Sequence, residues 1–215
     1  MQPSISTTRR QRAVGHLQAL YTVVTALALT TAITSLIDQT AQIPVKVTVF
    51  PYFVAYFVTL VPFYHGALCH LDKAYLGVLQ TTPKAGALLV DWVLLFVESC
   101  VLLGLALLIQ TPQSFFHGLL ALLLFDAAWA FGAHLAFSPE RRGLTVEAKW
   151  AIINFVTSVL LIGILVFLDS LDPAQKPVES YRWLIIVSLT VARTVADYAW
   201  CWSGYFPPDS EVAPG

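Results

Sequence analysis

The sequence predicts an all-α polytopic integral membrane protein, folded as a bundle of six transmembrane helices. Composition is the first observation: of 215 residues, 57% are apolar and only 12% are charged, whereas globular domains average about 25% charged residues. Mean hydropathy is +0.72. The second observation is that the apolar residues form continuous runs of roughly 20 residues, the length of a bilayer-spanning helix. A transmembrane β-barrel would instead need shorter segments of alternating polarity.

Six apolar runs are predicted to span the membrane, at residues 14–37, 47–69, 86–109, 114–137, 149–169 and 183–205. They fill one transmembrane domain, residues 13–206, which leaves polar tails at 1–12 and 207–215. Prolines separate the runs, since a missing N–H is best tolerated in a connection. These prolines are Pro44, Pro83, Pro112, Pro139, Pro173, Pro177, Pro207 and Pro208.

The first two spans carry the most distinctive local patterns. Between His16 and Asp38, span 1 has no charge but many Thr, Ser and Ala residues. Such a helix suits close helix packing or the wall of a pore. Span 2 contains an internal proline, Pro62, which is expected to kink the helix and to leave the Val58 carbonyl without its helical donor.

The basic residues predict the orientation of the spans. Three lie on one side of the membrane, Lys46, Lys176 and Arg182, and Arg193 lies inside span 6. Because cytoplasmic loops are enriched in Lys and Arg, the richer side is expected to be cytoplasmic. That side holds Arg9, Arg10, Arg12, Lys73, Lys84, Arg141, Arg142 and Lys149. Both termini are then cytoplasmic, and the protein is expected in the inner cell membrane as a multi-pass protein.

Charged and titratable side chains inside the spans are candidate functional residues, since they are costly there and often mark ion or proton paths. Such residues occur in spans 2, 3, 4 and 6: His65, Asp91, Glu98, Asp126, His134, Arg193 and Asp197. Glu98, Asp126 and Arg193 are predicted to lie near the bilayer midplane. Asp91, His65 and His134 lie roughly 9–14 Å closer to the cytoplasm, at about 1.5 Å per residue.

Helical spacing predicts which of these groups are neighbours. Arg193 and Asp197 are four residues apart, so a salt bridge between them is expected. The other three acids inside the spans, Asp91, Glu98 and Asp126, then have no basic partner. In the membrane they must be protonated, hydrogen-bonded, hydrated or bound to a cation. Either a cation or proton path or a hydrogen-bonded network that fixes helix packing would satisfy them.

The leading functional hypothesis is a small oligomeric channel or transporter that moves cations or protons. The path would be lined by Asp91, Glu98, Asp126, His134 and His65, with Arg193 and Asp197 as a structural or gating pair. A homo-oligomer is expected, because six helices form a thin bundle and a pore would arise most naturally between subunits. The net charge of −1 gives no basis for nucleic-acid binding. No catalytic or metal-binding motif occurs, so neither an enzyme nor a cofactor is expected.

Two alternatives remain open. In the first, the protein is a redox subunit that holds haem b, with His65 and His134 as axial ligands. Arg141 and Arg142 would then lie on the correct side to meet the haem propionates. In the second, the protein is a non-catalytic accessory or effector subunit that acts through a partner protein in the lipid bilayer.

Overall fold

A computed structural model describes residues 5–37, 44–76, 85–137, 143–170 and 181–206. These residues form six α-helices: α1 (Ile5–Leu36), α2 (Phe50–Leu71), α3 (Ala85–Leu107), α4 (Pro112–Phe137), α5 (Val146–Asp169) and α6 (Arg182–Tyr205). A π-helical turn, Asp72–Leu76, prolongs α2, and a 3-10 turn, Leu108–Gln110, prolongs α3. All six helices are long and apolar enough to cross a membrane. The predicted all-α architecture with six candidate spans is therefore confirmed.

The helices extend beyond the apolar runs that predicted them. The first helix, α1, begins at Ile5, so part of the segment assigned to a polar tail is helical. The π-helical turn adds the charged pair Asp72 and Lys73 to the end of α2. At the start of α5, the Thr145 hydroxyl caps the helix by accepting a 3.3 Å hydrogen bond from the Ala148 amide. Hydropathy marks the membrane-embedded part of a helix, whereas capping and backbone hydrogen bonds decide where the helix ends.

Part of the predicted orientation rests on residues outside the described ranges. These are Lys84, Arg141, Arg142 and Lys176, together with residues 1–4 and the tail at 207–215. The cytoplasmic location of the termini and the choice of membrane therefore stay predictions. Below, the N-terminal end of the bundle means the end at which α1, α3 and α5 begin, and the far end is the opposite one.

The six helices pack into a closed ring in the order α1, α3, α4, α5, α6, α2. The most extensive contacts join α4 with α5, α1 with α3 and α2 with α6. Because consecutive spans alternate in direction, α1 and α3 run parallel to each other, and so do α2 and α6. The turn between α1 and α2 is closed by a 2.8 Å hydrogen bond from the Lys46 amide to the Leu36 carbonyl.

Polarity is distributed inside out compared with a water-soluble protein. Charged side chains are buried, including Glu98, which is 1% exposed, and Arg193, which is 5% exposed. Large apolar side chains cover the outside, for example Leu107 and Val195, which are 65% and 62% exposed. An apolar exterior of this extent fits a lipid environment and would be unstable in water.

Two apolar clusters fill the interior at different depths. The cluster toward the far end includes Tyr52, Leu102, Phe115, Phe116 and Leu119. The cluster toward the N-terminal end includes Leu17, Leu71, Leu95, Trp129, Trp150 and Tyr205. Along α3, α4, α5 and α6, the buried polar side chains Glu98, Asp126, Asn154 and Arg193 lie between members of the two clusters. The fold thus places a polar layer at mid-depth.

Candidate functional site

A chain of hydrogen bonds and one ion pair crosses the polar layer. Asn154 Nδ2 donates to Asp126 Oδ2, and Arg193 Nε donates to Asn154 Oδ1 at 2.9 Å. Arg193 Nη2 lies 3.5 Å from Asp197 Oδ2, and the Tyr205 hydroxyl donates to Asp197 Oδ1 at 2.9 Å. These five residues, the mid-depth chain, come from α4, α5 and α6. The predicted ion pair of Arg193 with Asp197 is confirmed, and it is one step of this longer chain.

Arg193 lies at the centre of the mid-depth chain. Its guanidinium carbon lies 4.7 Å from the centre of the Phe63 ring, which brings α2 into the site. A guanidinium over an aromatic ring is favourable, and more so when both are shielded from water. Among the described residues, Arg193 Nη1 has no hydrogen-bond acceptor. One N–H donor of the buried guanidinium therefore has no protein acceptor among the described residues.

Glu98 lies in the same layer on the other side of the ring. The Tyr21 hydroxyl of α1 donates a 2.7 Å hydrogen bond to Glu98 Oε1. Tyr21 is in turn stacked on Tyr64, with ring centres 5.9 Å apart. Glu98 Oε2 has no hydrogen-bond donor in the described part of the chain. The Glu98 and Asp126 carboxyl groups are close enough to interact electrostatically, which joins Glu98 to the mid-depth chain.

A second group of titratable side chains, the histidine cluster, lies nearer the N-terminal end. His70 Nε2 lies 3.2 Å from Asp91 Oδ2, and His70 Nδ1 lies 3.5 Å from Glu147 Oε1. Asp91 also accepts hydrogen bonds from the Tyr75 hydroxyl at 2.5 Å and from Trp129 Nε1 at 3.3 Å. The cluster therefore joins residues of α2, α3, α4 and α5 around one buried imidazole.

Sequence reasoning missed several members of these two groups. His70 and Glu147 fall outside the predicted spans, at 47–69 and 149–169, so neither was assigned a depth inside the bundle. Tyr21 carries no charge, and its contact with Glu98 depends on how α1 packs against α3. Asn154 is visible in the sequence as a polar side chain inside span 5, but its bonds to Asp126 and Arg193 depend on how α4, α5 and α6 pack.

His65 and His134 contact aromatic and hydroxyl side chains. The His65 ring lies 4.6 Å from the Tyr205 ring, and His65 Nδ1 lies 3.3 Å from the Tyr198 hydroxyl. His134 Nδ1 lies 3.0 Å from Thr145 Oγ1. No hydrogen bond within the described ranges joins either histidine to a carboxylate. One histidine faces α6 and the other faces the start of α5, so their roles in a path or as haem ligands stay predictions.

Four hydroxyl side chains in the second half of α1 are satisfied within their own helix. Thr30, Thr31, Thr34 and Ser35 each donate to the backbone carbonyl four residues earlier, at 2.8 to 3.0 Å. Thr30 and Thr34 are exposed on the outside of the bundle, and Thr31 is half-buried. An internal hydrogen bond makes such a hydroxyl compatible with lipid or with a neighbouring helix.

No protein-family model, curated protein or solved structure matches the chain. Its function is therefore inferred from its own residues and contacts. The contacts that bear most directly on function are those of the charged side chains buried in the bundle.

Proposed function

We propose that the protein is a membrane transporter of protons whose buried carboxyl groups bind and release protons within a single chain. A charge imbalance in the polar layer carries the proposal. Three carboxyl groups, those of Glu98, Asp126 and Asp197, share that layer with one guanidinium, that of Arg193. Unpaired charges are strongly disfavoured away from water. Two of the three carboxyl groups therefore have no guanidinium of their own in the layer, and a bound proton would neutralise each of them.

Protons fit these carboxyl groups better than metal cations do. Ca²⁺ takes six to eight oxygen ligands, and Mg²⁺ keeps an octahedral shell, so several oxygens would have to converge on one point. Here Glu98 and Asp126 are each engaged by a separate donor, the Tyr21 hydroxyl and the Asn154 amide. A proton needs only one carboxyl oxygen, and chains of Asp, Glu and His are the usual proton relays of pumps and transporters.

The histidine cluster gives this layer a route toward the N-terminal end. Glu147 lies in the first turn of α5, with its side chain 16% exposed, and contacts the buried His70. His70 contacts Asp91. Asp91 and Glu98 are seven residues apart on α3, which places them about 10 Å apart along one helix face. We infer that protons enter at Glu147 and reach the polar layer through Asp91.

The opposite side of the polar layer favours a transporter over an open channel. There the far-end apolar cluster, with Tyr52, Phe115 and Phe116, fills the space between the helices. Packed apolar side chains exclude the water that an open proton path needs. Release to the far side therefore requires the helices to rearrange, as in alternating access.

The orientation and the location of the protein are also proposals. We propose that the N-terminal end of the bundle is cytoplasmic and that the protein resides in the inner cell membrane. Since the carboxyl groups lie inside one chain, the proposed path does not require the homo-oligomer, which stays a prediction. An accessory role alongside a partner subunit would be indicated if the purified protein moved no protons.

Proton flux into liposomes tests the proposal. Purified protein would be reconstituted with a pH-sensitive dye inside, and a potassium diffusion potential would drive proton entry. Because Asp126→Asn removes a proton site but keeps the side-chain shape, we expect its flux to fall about tenfold or more. Asp72→Asn is the matched control, since Asp72 is an exposed acid that accepts a 2.9 Å hydrogen bond from Gln18.

Three outcomes would contradict the proposal. Wild-type flux could equal that of protein-free liposomes, or Asp126→Asn could conduct as well as Asp72→Asn. If Asp126→Asn lowered only thermal stability, the carboxyl groups would serve helix packing alone. The absorption spectrum of the same sample tests the haem alternative, because a Soret band that shifts on reduction would assign His65 and His134 as candidate ligands.

A further inference from the structure

A small cavity lies beside Arg193, where four helices of the ring meet. Its lining includes Pro62 and Gly66 of α2, Asp126 of α4, Trp150 of α5, and Arg193 and Asp197 of α6. The centre of a water molecule can occupy a volume of about 10 Å³ inside this cavity. This is close to the minimum space that holds one water.

Two residues that line this cavity, Arg193 and Trp150, each have a buried N–H group without an acceptor. Arg193 Nη1 and Trp150 Nε1 donate to no acceptor in the described ranges, and the two side chains are only 5% and 6% exposed. Trp150 Nε1 lies near the Asp197 carboxyl group but outside hydrogen-bond geometry. Buried donors are nearly always satisfied in folded proteins, by ordered water where the protein offers no acceptor.

The mid-depth chain cannot pass a proton from Asp126 to Asp197 through its own side chains. The intervening groups are the Asn154 amide and the Arg193 guanidinium. A side-chain amide does not titrate, and a guanidinium is not deprotonated in proteins. A relay between the two carboxyl groups therefore needs a mobile hydroxyl-bearing molecule.

We propose that this cavity binds a single water molecule that relays protons between Asp126 and Asp197. The inference rests on the proposed function for the relay, while the binding site rests on the cavity and its two donors. When no transfer takes place, Arg193 Nη1 and Trp150 Nε1 donate to the two lone pairs of the water oxygen. When Asp126 is protonated, its O–H replaces one of these donors at the water oxygen, and the water donates one of its hydrogens to the Asp197 carboxylate. In transfer, the O–H bond of Asp126 breaks as its proton joins the water oxygen, and the water O–H bond that points to Asp197 breaks as that proton joins the carboxylate. One water molecule remains in the cavity, and one proton has moved from Asp126 to Asp197.

Gly66 offers a way to disturb the water without changing any charge. A methyl group added there would lie 3.3 Å from Trp150 Cζ2 and 3.5 Å from the Tyr205 hydroxyl, at the wall of the cavity. Gly104→Ala is the matched control, since an added methyl at Gly104 of α3 meets nothing within 4 Å. Trp150→Phe is a second variant that removes one donor while keeping an aromatic ring.

The experiment combines electron cryo-microscopy in lipid nanodiscs, at a resolution that shows ordered water, with the liposome flux assay. In the wild type and in Gly104→Ala we expect density within hydrogen-bond distance of Arg193 Nη1. We expect that density to be lost in Gly66→Ala, and we expect the proton flux of this variant to fall about tenfold or more. Trp150→Phe is expected to weaken the density and to lower the flux by a smaller factor.

The outcomes separate the water site from the proposed function. Wild-type maps without density in the cavity would overturn the site, whatever the flux. Loss of density in Gly66→Ala with wild-type flux would overturn the relay. Density in the wild type without any proton flux would leave the water site standing and would overturn the proposed function instead.

Discussion

The Thr194 hydroxyl of α6 donates a 2.7 Å hydrogen bond to the backbone carbonyl of Val58 in α2. In a regular helix this carbonyl would accept from the amide four residues later, but that residue is Pro62, which has no N–H. The sequence therefore predicts the free carbonyl, and the structure supplies its donor. Since Thr194 follows Arg193 directly, the bond holds α6 against α2 at the level of the mid-depth chain.

Thr194→Val is expected to destabilise the protein by about 1 kcal/mol, the usual size of one interhelical hydrogen bond in a membrane protein. The loss leaves the Val58 carbonyl without a donor. Unfolding in mixed detergent micelles would measure the change. Thr30→Val is the matched control, because the Thr30 hydroxyl donates only to the Ala26 carbonyl of its own helix.

Pro62→Ala sharpens this prediction as a double-mutant cycle. An alanine at position 62 gives α2 the amide that can satisfy the Val58 carbonyl. In that background, Thr194→Val should cost clearly less than it costs alone. Equal costs in the two backgrounds would mean that the Thr194 hydroxyl does not compensate for the proline.

Removal of the Arg193 guanidinium is expected to destabilise the protein far more than loss of the Thr194 hydrogen bond. Arg193→Gln leaves Asp126 and Asp197 without their guanidinium, and breaking a buried ion pair costs about 3–5 kcal/mol. Combining it with Asp197→Asn removes one of the two buried negative charges that have lost their cation. The double variant should therefore be more stable than the sum of the two single effects, as measured by thermal unfolding. Strictly additive losses would show that the 3.5 Å pair contributes no interaction energy.

Close packing of α5 against α6 makes Gly204 sensitive to enlargement. A methyl group added at Gly204 would lie 2.7 Å from Val146 Cγ2, and valine is stiff at χ1. Gly204→Ala is expected to destabilise the protein by about 1–3 kcal/mol, the usual cost of overpacking. Gly132→Ala, which meets nothing within 4 Å, should be neutral or slightly stabilising. Equal thermal stability of the two variants would contradict the packing described between Gly204 and Val146.

Reporter fusions test the proposed orientation. With six spans, both chain ends are predicted to lie on one side of the membrane, and the excess of Lys and Arg predicts that this side is cytoplasmic. Green fluorescent protein fused after Gly215 should therefore fluoresce, whereas alkaline phosphatase at that position should be inactive. A phosphatase fusion after Gln110, between α3 and α4, should be active. The reverse pattern would contradict the orientation and would place the histidine cluster on the outer side.

Features that depend on local spacing could be predicted from the sequence. The six helices follow from apolar runs, the pairing of Arg193 with Asp197 from a four-residue interval, and the free Val58 carbonyl from Pro62. The shared mid-depth position of Glu98 and Asp126 follows from their places near the middle of their spans.

Features that depend on the order of helices around the ring could not be predicted. The contact of Tyr21 with Glu98 needs α1 beside α3, and the contact of His70 with Glu147 needs the end of α2 beside the start of α5. In addition, α2 ends after its apolar run and α5 begins before its own, so neither His70 nor Glu147 lies inside a predicted span. His65 packs among aromatic rings of α6, which could not be predicted either, because ring stacking leaves no periodic signal in a single sequence.

The central claim is that carboxyl groups of the polar layer carry protons at neutral pH. Infrared spectroscopy measures this directly, because a neutral carboxyl group has a carbonyl stretch that shifts in D₂O and that a carboxylate lacks. The account predicts this band in the wild type and in Asp72→Asn. It also predicts a weaker band in Glu98→Gln or Asp126→Asn. A wild-type spectrum with no neutral carboxyl band, or a band unchanged in both Glu98→Gln and Asp126→Asn, would contradict the account.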